Sequence, residues 1–303
     1  MQEADVMALI GRHVTTRDPR VRLGPGDDLA VLDASGGLLA GVDQVIDGVH
    51  VLADRVSWDR IGRKAVSRSL SDIAAMGGRP LATLAAVVLP AGAREGDVER
   101  LCRGLQEAAE RWGAPLVGGD VAFQRSGDAP LTISVTVLGL SDEPVRRSGG
   151  RPGDDLYVTG VLGGAVLPDG GGHHLDFSPR LPEAAALTAT IGRDLHAMID
   201  ISDGLCRDAG RLAEASGCRA VLRSADIPVR VGVPREAAFA DGEDYELLFA
   251  VAGGVVVPDQ IGPAACAVTR IGTLGSEAEP RVAIMHPDGT CEDGSDLGWM
   301  HGS

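Results

Sequence analysis

Six aspartates carry the chemistry this sequence offers: Asp27, Asp43, Asp72, Asp120, Asp200 and Asp203, with Asp28 beside the first. Most stand tens of residues apart and near glycine, and each is expected at or near the end of a strand or helix. Magnesium takes oxygen ligands, uses few carboxylates, and fills its other positions with water and phosphate oxygen. Carboxylates repeated at element ends are therefore what a site of several Mg²⁺ ions on a polyphosphate needs. The chain has no Gly-x-x-x-x-Gly-Lys-[Ser/Thr] loop and no Gly-x-Gly-x-x-Gly turn, so phosphate here would rest on aspartate-held metal. Lys64 is the only lysine, and any lysine-dependent phosphate chemistry would have to use it.

Alternating strands and helices must position these residues, which makes the protein α/β. Residues 3–13 read as a short helix. Gly24-Pro25-Gly26 forces a loop, and Asp27-Asp28 opens a strand around 29–32. Gly36-Gly37 reads as a hairpin turn. Leu38–Val42 reads as a strand ending at Asp43, followed by a loop that carries Asp47 and His50. Ser57 caps a helix of about five turns reaching Met76, closed by Gly77-Gly78. At about 100° per residue, Asp72 falls at the azimuth of Ile61 and Ala65 and points to the buried side. It also lies near the helix C-terminus, where the dipole disfavours an anion. Two unfavourable terms on one carboxylate call for a cation, either a metal ion or one of Arg68 and Arg79.

Leu81–Leu89 reads as a strand buried on both faces. A helix starting at Asp97 turns Val98, Leu101, Cys102, Leu105, Ala108 and Trp112 inward. Gly118-Gly119-Asp120 is expected to end a strand in a tight acidic turn. Leu131–Leu138 alternates apolar and hydroxyl residues, as a half-buried strand does. Residues 141–154, rich in Gly, Pro, Asp and Arg, mark a domain boundary, giving domains 1–145 and 146–303. Asp155–Thr159 opens the second as a strand. Residues 168–180 read as a flexible glycine-rich loop with His173 and His174 solvated. A helix over 182–194 precedes a short strand ending at Asp200. Ser202 or Asp203 then caps the next helix, a terminus equally suited to phosphate or to a carboxylate gripping Mg²⁺. Gly242-Glu243-Asp244 precedes a strand over 245–251, and Trp299 lies in the tail, either filling core or covering a ligand.

The whole chain narrows the field. Its 303 residues allow one large domain or two ordinary ones, and 44% hydrophobic residues support a real core, which is aliphatic because aromatics are only 3%. A net charge of −15 argues against nucleic acid as a partner, since phosphate backbones are bound by basic surfaces. The five scattered cysteines have no metal-ligand spacing, which fits free thiols in a reducing cytoplasm. The acidic start does not read as a signal peptide, and no apolar run approaches a membrane span.

Taken in order, the motifs resemble the thiamine-monophosphate kinase family of the aminoimidazole-ribonucleotide-synthetase-like ATP-binding superfamily. The resemblance rests on Gly26-Asp27-Asp28-Leu29-Ala30-Val31-Leu32, Asp43 through Gly48-Val49-His50, Leu70-Ser71-Asp72 through Met76-Gly77-Gly78, Gly118-Gly119-Asp120, Arg147-Ser148-Gly149, Asp200-Ile201-Ser202-Asp203-Gly204, and Gly242 through Phe249. It implies two α/β halves with ATP between them, and a homodimer whose N-terminal sheets join in a barrel. It implies that Asp27, Asp43, Asp72, Asp120, Asp200 and Asp203 hold Mg²⁺ on the ATP phosphates, supported by Asp28. Gly119, Asp120, Arg147, Ser202 and the less closely matched Trp112 would touch ATP. His50, Glu243 and Trp299 would touch thiamine monophosphate. The γ-phosphoryl group would pass in line to the substrate phosphate, and no general base is assigned. The sequence departs from the family pattern at Gly41-Val42, where threonines are usual, at Val121-Ala122-Phe123, at Ser69 in place of asparagine, and at Asp241 in place of glycine. The rival reading is a non-catalytic or differently specific nucleotide-binding member of the same superfamily.

Overall fold

The computed structural model describes residues 18–23, 31–125, 127, 129–276 and 281–299. The expected helix over 3–13, the Asp27-Asp28 turn and the last four residues lie outside them. Two compact units form. The first holds the chain up to Ile73, Arg79–Asp142 and Leu167–Ser178, and the second holds Ala74–Gly78, Glu143–Val166 and the chain from Pro179 onward.

Two short strands, β1 (Val21–Leu23) and β2 (Val31–Leu32), pair with each other in the first unit. The main elements there are β3 (Leu38–Ile46), α1 (Trp58–Ala75), β4 (Arg79–Leu89), α2 (Glu95–Arg111), β5 (Leu116–Phe123) and β6 (Thr132–Leu140). The sheet order is β3-β6-β4-β5, antiparallel except for the β4–β5 pair. β3 and β2 therefore lie in different sheets, so Gly36-Gly37 is a connection and not a hairpin turn. The alternation over 131–138 puts Ile133, Val135 and Val137 in the core. β4 alternates too, with Thr83, Ala85, Val87 and Leu89 buried and Ala86 exposed; only one of its faces is fully covered.

α1 lies against the sheet through Ser69, whose buried hydroxyl is 3.2 Å from the Val135 carbonyl. The asparagine-to-serine departure thus sits in helix–sheet packing. α1 meets α2 backbone to backbone: a Cβ on Gly62 would come 2.8 Å from Leu101 O and Leu105 N, and one on Gly104 would overlap the Asp59 carbonyl. Only glycine permits so close an approach. Val98, Leu101, Cys102, Leu105 and Ala108 of α2 are buried as their spacing requires. Trp112 is the exception. It is the half-buried C-cap, with the Arg111 guanidinium 5.2 Å over its ring.

Two expected strand ends are strand interiors. β3 continues past Asp43 to Ile46, and β5 runs through Gly118-Gly119-Asp120 to Phe123. Glycine next to aspartate suggested turns, but ladder hydrogen bonds to neighbouring strands hold both segments extended. The glycine-rich stretch also differs from expectation. Residues 167–178 pack with the first unit, and the turn His173–Leu175 leaves His174 1% exposed. Both histidines read as solvated because no local pattern buries them; for His174 a partner far away in sequence does.

The second unit runs β7 (Asp155–Thr159), α3 (Leu181–Ile191), β8 (Leu195–Asp200), α4 (Leu205–Ala215), β9 (Arg219–Arg223), α5 (Arg235–Ala240), β10 (Leu247–Val251), β11 (Gln260–Ile261), β12 (Cys266–Gly275), β13 (Val282–Met285) and β14 (Cys291–Asp293). Its sheet order is β14-β13-β9-β12-β7-β10-β8, with β11 beside β12. α4 packs Leu205, Ala209 and Leu212 into one core with Leu156, Ile199, Leu248 and Ile271. Tyr245 precedes β10 instead of opening it.

Candidate functional site

In the first unit, Gly41 and Asp43 lie on the side of β3 that faces α1, while Leu38, Ala40, Val42 and Gln44 face out. Gly41 leaves room for a carboxylate: a Cβ there would stand 3.5 Å from Asp72 Oδ2. Asp72 is half-buried in the last turn of α1, as its azimuth requires. The Arg68 guanidinium reaches Asp43, with Nε 3.4 Å from Oδ1. Glycine in place of threonine thus brings Asp72 up to the strand that carries Asp43. Asp120 lies elsewhere. By register it lines up with Ala86 and Ser134, on the face opposite Asp43. Gly119 beside it has no room for a side chain, since a Cβ would overlap the Ala85 carbonyl.

His50 sits in the turn after β3. Its Nδ1 accepts from the Ile46 amide at 3.1 Å, so the neutral ring carries its proton on Nε2. Asp47, the other acid of this turn, accepts from the Ala53 amide at 2.8 Å.

The second unit gathers five of the expected residues, Asp200, Ser202, Asp203, Glu243 and Trp299, around one loop. β8 ends at the buried Asp200, paired with Leu247. The chain then turns through Ser202 and Asp203 into α4. The Glu243 amide donates to Ser202 O at 2.8 Å, Tyr245 N to Ile201 O at 2.8 Å, and Trp299 N to Asp203 O at 2.8 Å. Trp299 is 54% exposed. Glu243 and Tyr245 both have positive φ, at 68° and 52°. Such backbone is costly outside glycine and persists where surrounding structure enforces it, commonly at functional sites.

Neither Ser202 nor Asp203 caps α4. Gly204, at φ 106°, occupies the cap without a side-chain bond. Asp208 in the first turn instead reaches back and holds the turn before the helix, because its Oδ2 accepts from the amides of Ser202 and Asp203 at 3.0 and 2.9 Å. Burial pushes the Asp208 carboxyl up to about 7, against the pull of the Asp203 amide. Arg211 spans Asp203 Oδ2 (2.6 Å) and Asp208 Oδ1 (2.8 Å). Sequence reading missed these two residues. Their signal was an acid in the first helical turn reaching back to upstream amides, as in a capping box. Arg147 is exposed, and its carbonyl accepts from the Ser216 hydroxyl at 2.8 Å, which fixes the 147–150 turn. Asp241, where the family pattern has glycine, accepts from the Gly164 amide at 3.0 Å.

Asp244, beside Glu243, gives a pH prediction. Its buried side chain accepts from the Gly163 amide at 2.8 Å and from Arg230 at 3.2 Å. Burial outweighs both donors and raises its pKa to about 6. A carboxyl whose folded pKa lies above its unfolded one binds more protons when folded. Stability is therefore lost as pH rises from about 4 to about 6 and is level above. Asp244→Asn removes that slope. In urea unfolding, the stability of the variant relative to wild type should improve by roughly 2–3 kcal/mol between pH 4 and pH 7.

Among the described residues no group of three or more His, Cys, Asp or Glu side chains is arranged to hold a metal. The donors present are carboxylate oxygens on rigid elements, with room at Gly41 and a half-buried Asp72. That suits magnesium, which is bound through one or two carboxylates together with substrate phosphate.

Comparison with known proteins agrees with this architecture. The family "AIR synthase related protein" matches through its N-terminal domain over residues 26–141 and its C-terminal domain over 151–284. The chain belongs to this family. A thiamine-monophosphate kinase of Rhodopirellula baltica is 38% identical over 271 residues, covering 83% of this chain and 82% of the relative. The solved thiamine-monophosphate kinase of Stenotrophomonas maltophilia K279a superposes with a TM-score of 0.75 at 29% identity, covering 95% of this chain and 97% of that one. AaThiL complexed with AMPPCP and TMP superposes at 0.74 with 27% identity, covering 99% and 96%. Within the wider family, these relatives place the chain among the thiamine-monophosphate kinases.

Proposed function

We propose that this chain phosphorylates thiamine monophosphate with ATP to give thiamine diphosphate. The observation that carries the reading is the loop 200–204, where backbone bonds draw Ser202, Asp203, Glu243 and Trp299 together from distant parts of the chain. The kinase relatives, including one in complex with an ATP analogue and TMP, support it.

The magnesium ligands we propose are Asp27, Asp43, Asp72, Asp120, Asp200 and Asp203. The approach of Asp72 to the Gly41 position supports Asp43 and Asp72; Asp27 and Asp120 rest on the resemblance. When bound, Mg²⁺ neutralises the charge of the polyphosphate. Gly119, Asp120, Arg147, Ser202 and Trp112 contact ATP in this reading. His50, Glu243 and Trp299 contact the acceptor, with His50 offering Nε2–H to its phosphate. An acceptor phosphate oxygen attacks the γ-phosphorus, the bond to the β–γ bridging oxygen breaks, and ADP leaves. The acceptor oxygen is already ionised near neutral pH, so the chain supplies position and positive charge, and no general base.

The domains are proposed as 1–145 and 146–303, and the active form as a homodimer in the cytoplasm. The open face of the first sheet supports the dimer, since Leu38 and Val42 on edge strand β3 are 57% and 64% exposed. A joined barrel would cover this apolar row. No helix among the described residues is long and apolar enough to cross a membrane.

The test is product analysis with ATP, Mg²⁺ and thiamine monophosphate, beside the same mixture with unphosphorylated thiamine. Thiamine diphosphate from the first mixture alone is expected. Mg²⁺-dependent ATP binding without that product would overturn the acceptor assignment and leave a differently specific member of the family.

A further inference from the structure

Lys64 is 0% exposed, the only lysine in a chain whose other long cationic side chains are all arginines. Its ammonium donates to the His50 carbonyl at 2.9 Å and to His174 Nδ1 at 2.6 Å. His174, also buried, has Nε2 3.2 Å from Gly170 O. One tautomer satisfies both contacts, with Nδ1 accepting from Lys64 and Nε2–H donating to Gly170. Residues 167–178, a strap that carries His174, are fastened a second time by an ion pair from Arg60, one turn earlier on α1, to Asp176. Gly170, at φ 83°, packs against Leu52 just beyond the His50 turn. His50 is thereby held twice, at its ring by the Ile46 amide and at its carbonyl by Lys64.

A buried ammonium is costly unless the fold satisfies it. A compact three-donor cation also fits where a planar guanidinium fork does not. We propose that Lys64 and His174 are positioning residues which, with the 167–178 strap, set where His50 meets the phosphate of the acceptor. The proposal rests on the reading of His50 as an acceptor contact. It predicts an effect on acceptor binding that spares ATP.

Steady-state kinetics of the full chain tests it with His174→Leu, His174→Asn and His50→Ala. His174→Leu removes the Nδ1 acceptor, and asparagine offers an oxygen in its place. With His174→Leu, KM for thiamine monophosphate should rise about 10-fold or more, on the scale seen when a group orienting a ligand contact is removed. KM for ATP should stay within about twofold, and His174→Asn should recover most of the loss. If His50→Ala raises the acceptor KM and His174→Leu does not, the positioning role is overturned. If His50→Ala leaves that KM unchanged, the His50 assignment itself has failed. Wild-type protein gives a readout independent of turnover and of variant folding. Labelling lysine with ¹⁵N yields one side-chain ammonium signal, that of Lys64. It should shift on adding thiamine monophosphate and stay in place on adding a non-hydrolysable ATP analogue alone; the reverse pattern overturns the proposal.

Discussion

Asp72→Asn is expected to lower kcat/KM for thiamine diphosphate formation by at least about 100-fold, the scale of losing one preorganised electrostatic contact in a transition state. The fold should tolerate the change. The variant keeps the shape of the side chain and removes a charge from the last turn of α1, where the helix dipole opposes it. Its carboxylate, half-buried beside the Gly41 position, is also partly desolvated. Activity and stability should therefore part company. The thermal midpoint should move by no more than a few degrees while turnover collapses and the Mg²⁺ requirement rises. A midpoint that drops sharply, with activity retained at saturating Mg²⁺, would instead make Asp72 one half of a structural ion pair.

Gly104→Ala should cost the first unit a large part of its stability. Alanine gains about 1 kcal/mol over glycine in a helix interior. Here the new Cβ overlaps the Asp59 carbonyl, a backbone atom of α1 that cannot swing aside as a side-chain tip can. Separating two packed helices costs several times that gain, leaving a net loss of about 2–3 kcal/mol. At about 2–4 °C per kcal/mol, the midpoint should fall by roughly 5–10 °C. Gly96→Ala in the same helix is the control. Its Cβ would meet nothing nearer than 4.0 Å, so stability should hold or rise slightly. Activity should follow the Gly104 variant down, because α1 carries both Asp72 and Lys64.

The helical period placed Asp72 correctly on the buried side of α1, because an 18-residue amphipathic helix has a strong local signal. The alternation over 131–138 served β6 equally well. Asp43 and Asp120 were misplaced at strand ends because glycine beside aspartate resembles a turn. Pairing with strands far away in sequence, which no local pattern reports, kept both segments extended. The cluster of Ser202, Asp203, Glu243 and Trp299 could not be read from spacing, since three backbone hydrogen bonds create it. Positive φ at Glu243 and Tyr245 was equally hidden, because neither residue type favours it. His174 shows the same limit from the other side. Its glycine-rich setting suggested solvent, and a lysine more than a hundred residues earlier buries it.

The seclusion of Lys64 inside α1 also makes the chain its own folding gauge. A lysine-specific protease has one peptide bond to cut in this sequence, the one after Lys64, and in the native state that residue is fully enclosed within a helix. Cleavage then requires α1 to open. Where reclosing is faster than cutting, the rate reports the free energy of that opening. Two fragments from one site would thus time the loosening of the helix that carries Asp72, without a label or a chromophore. Bound nucleotide or acceptor should slow that clock by the amount each steadies the helix.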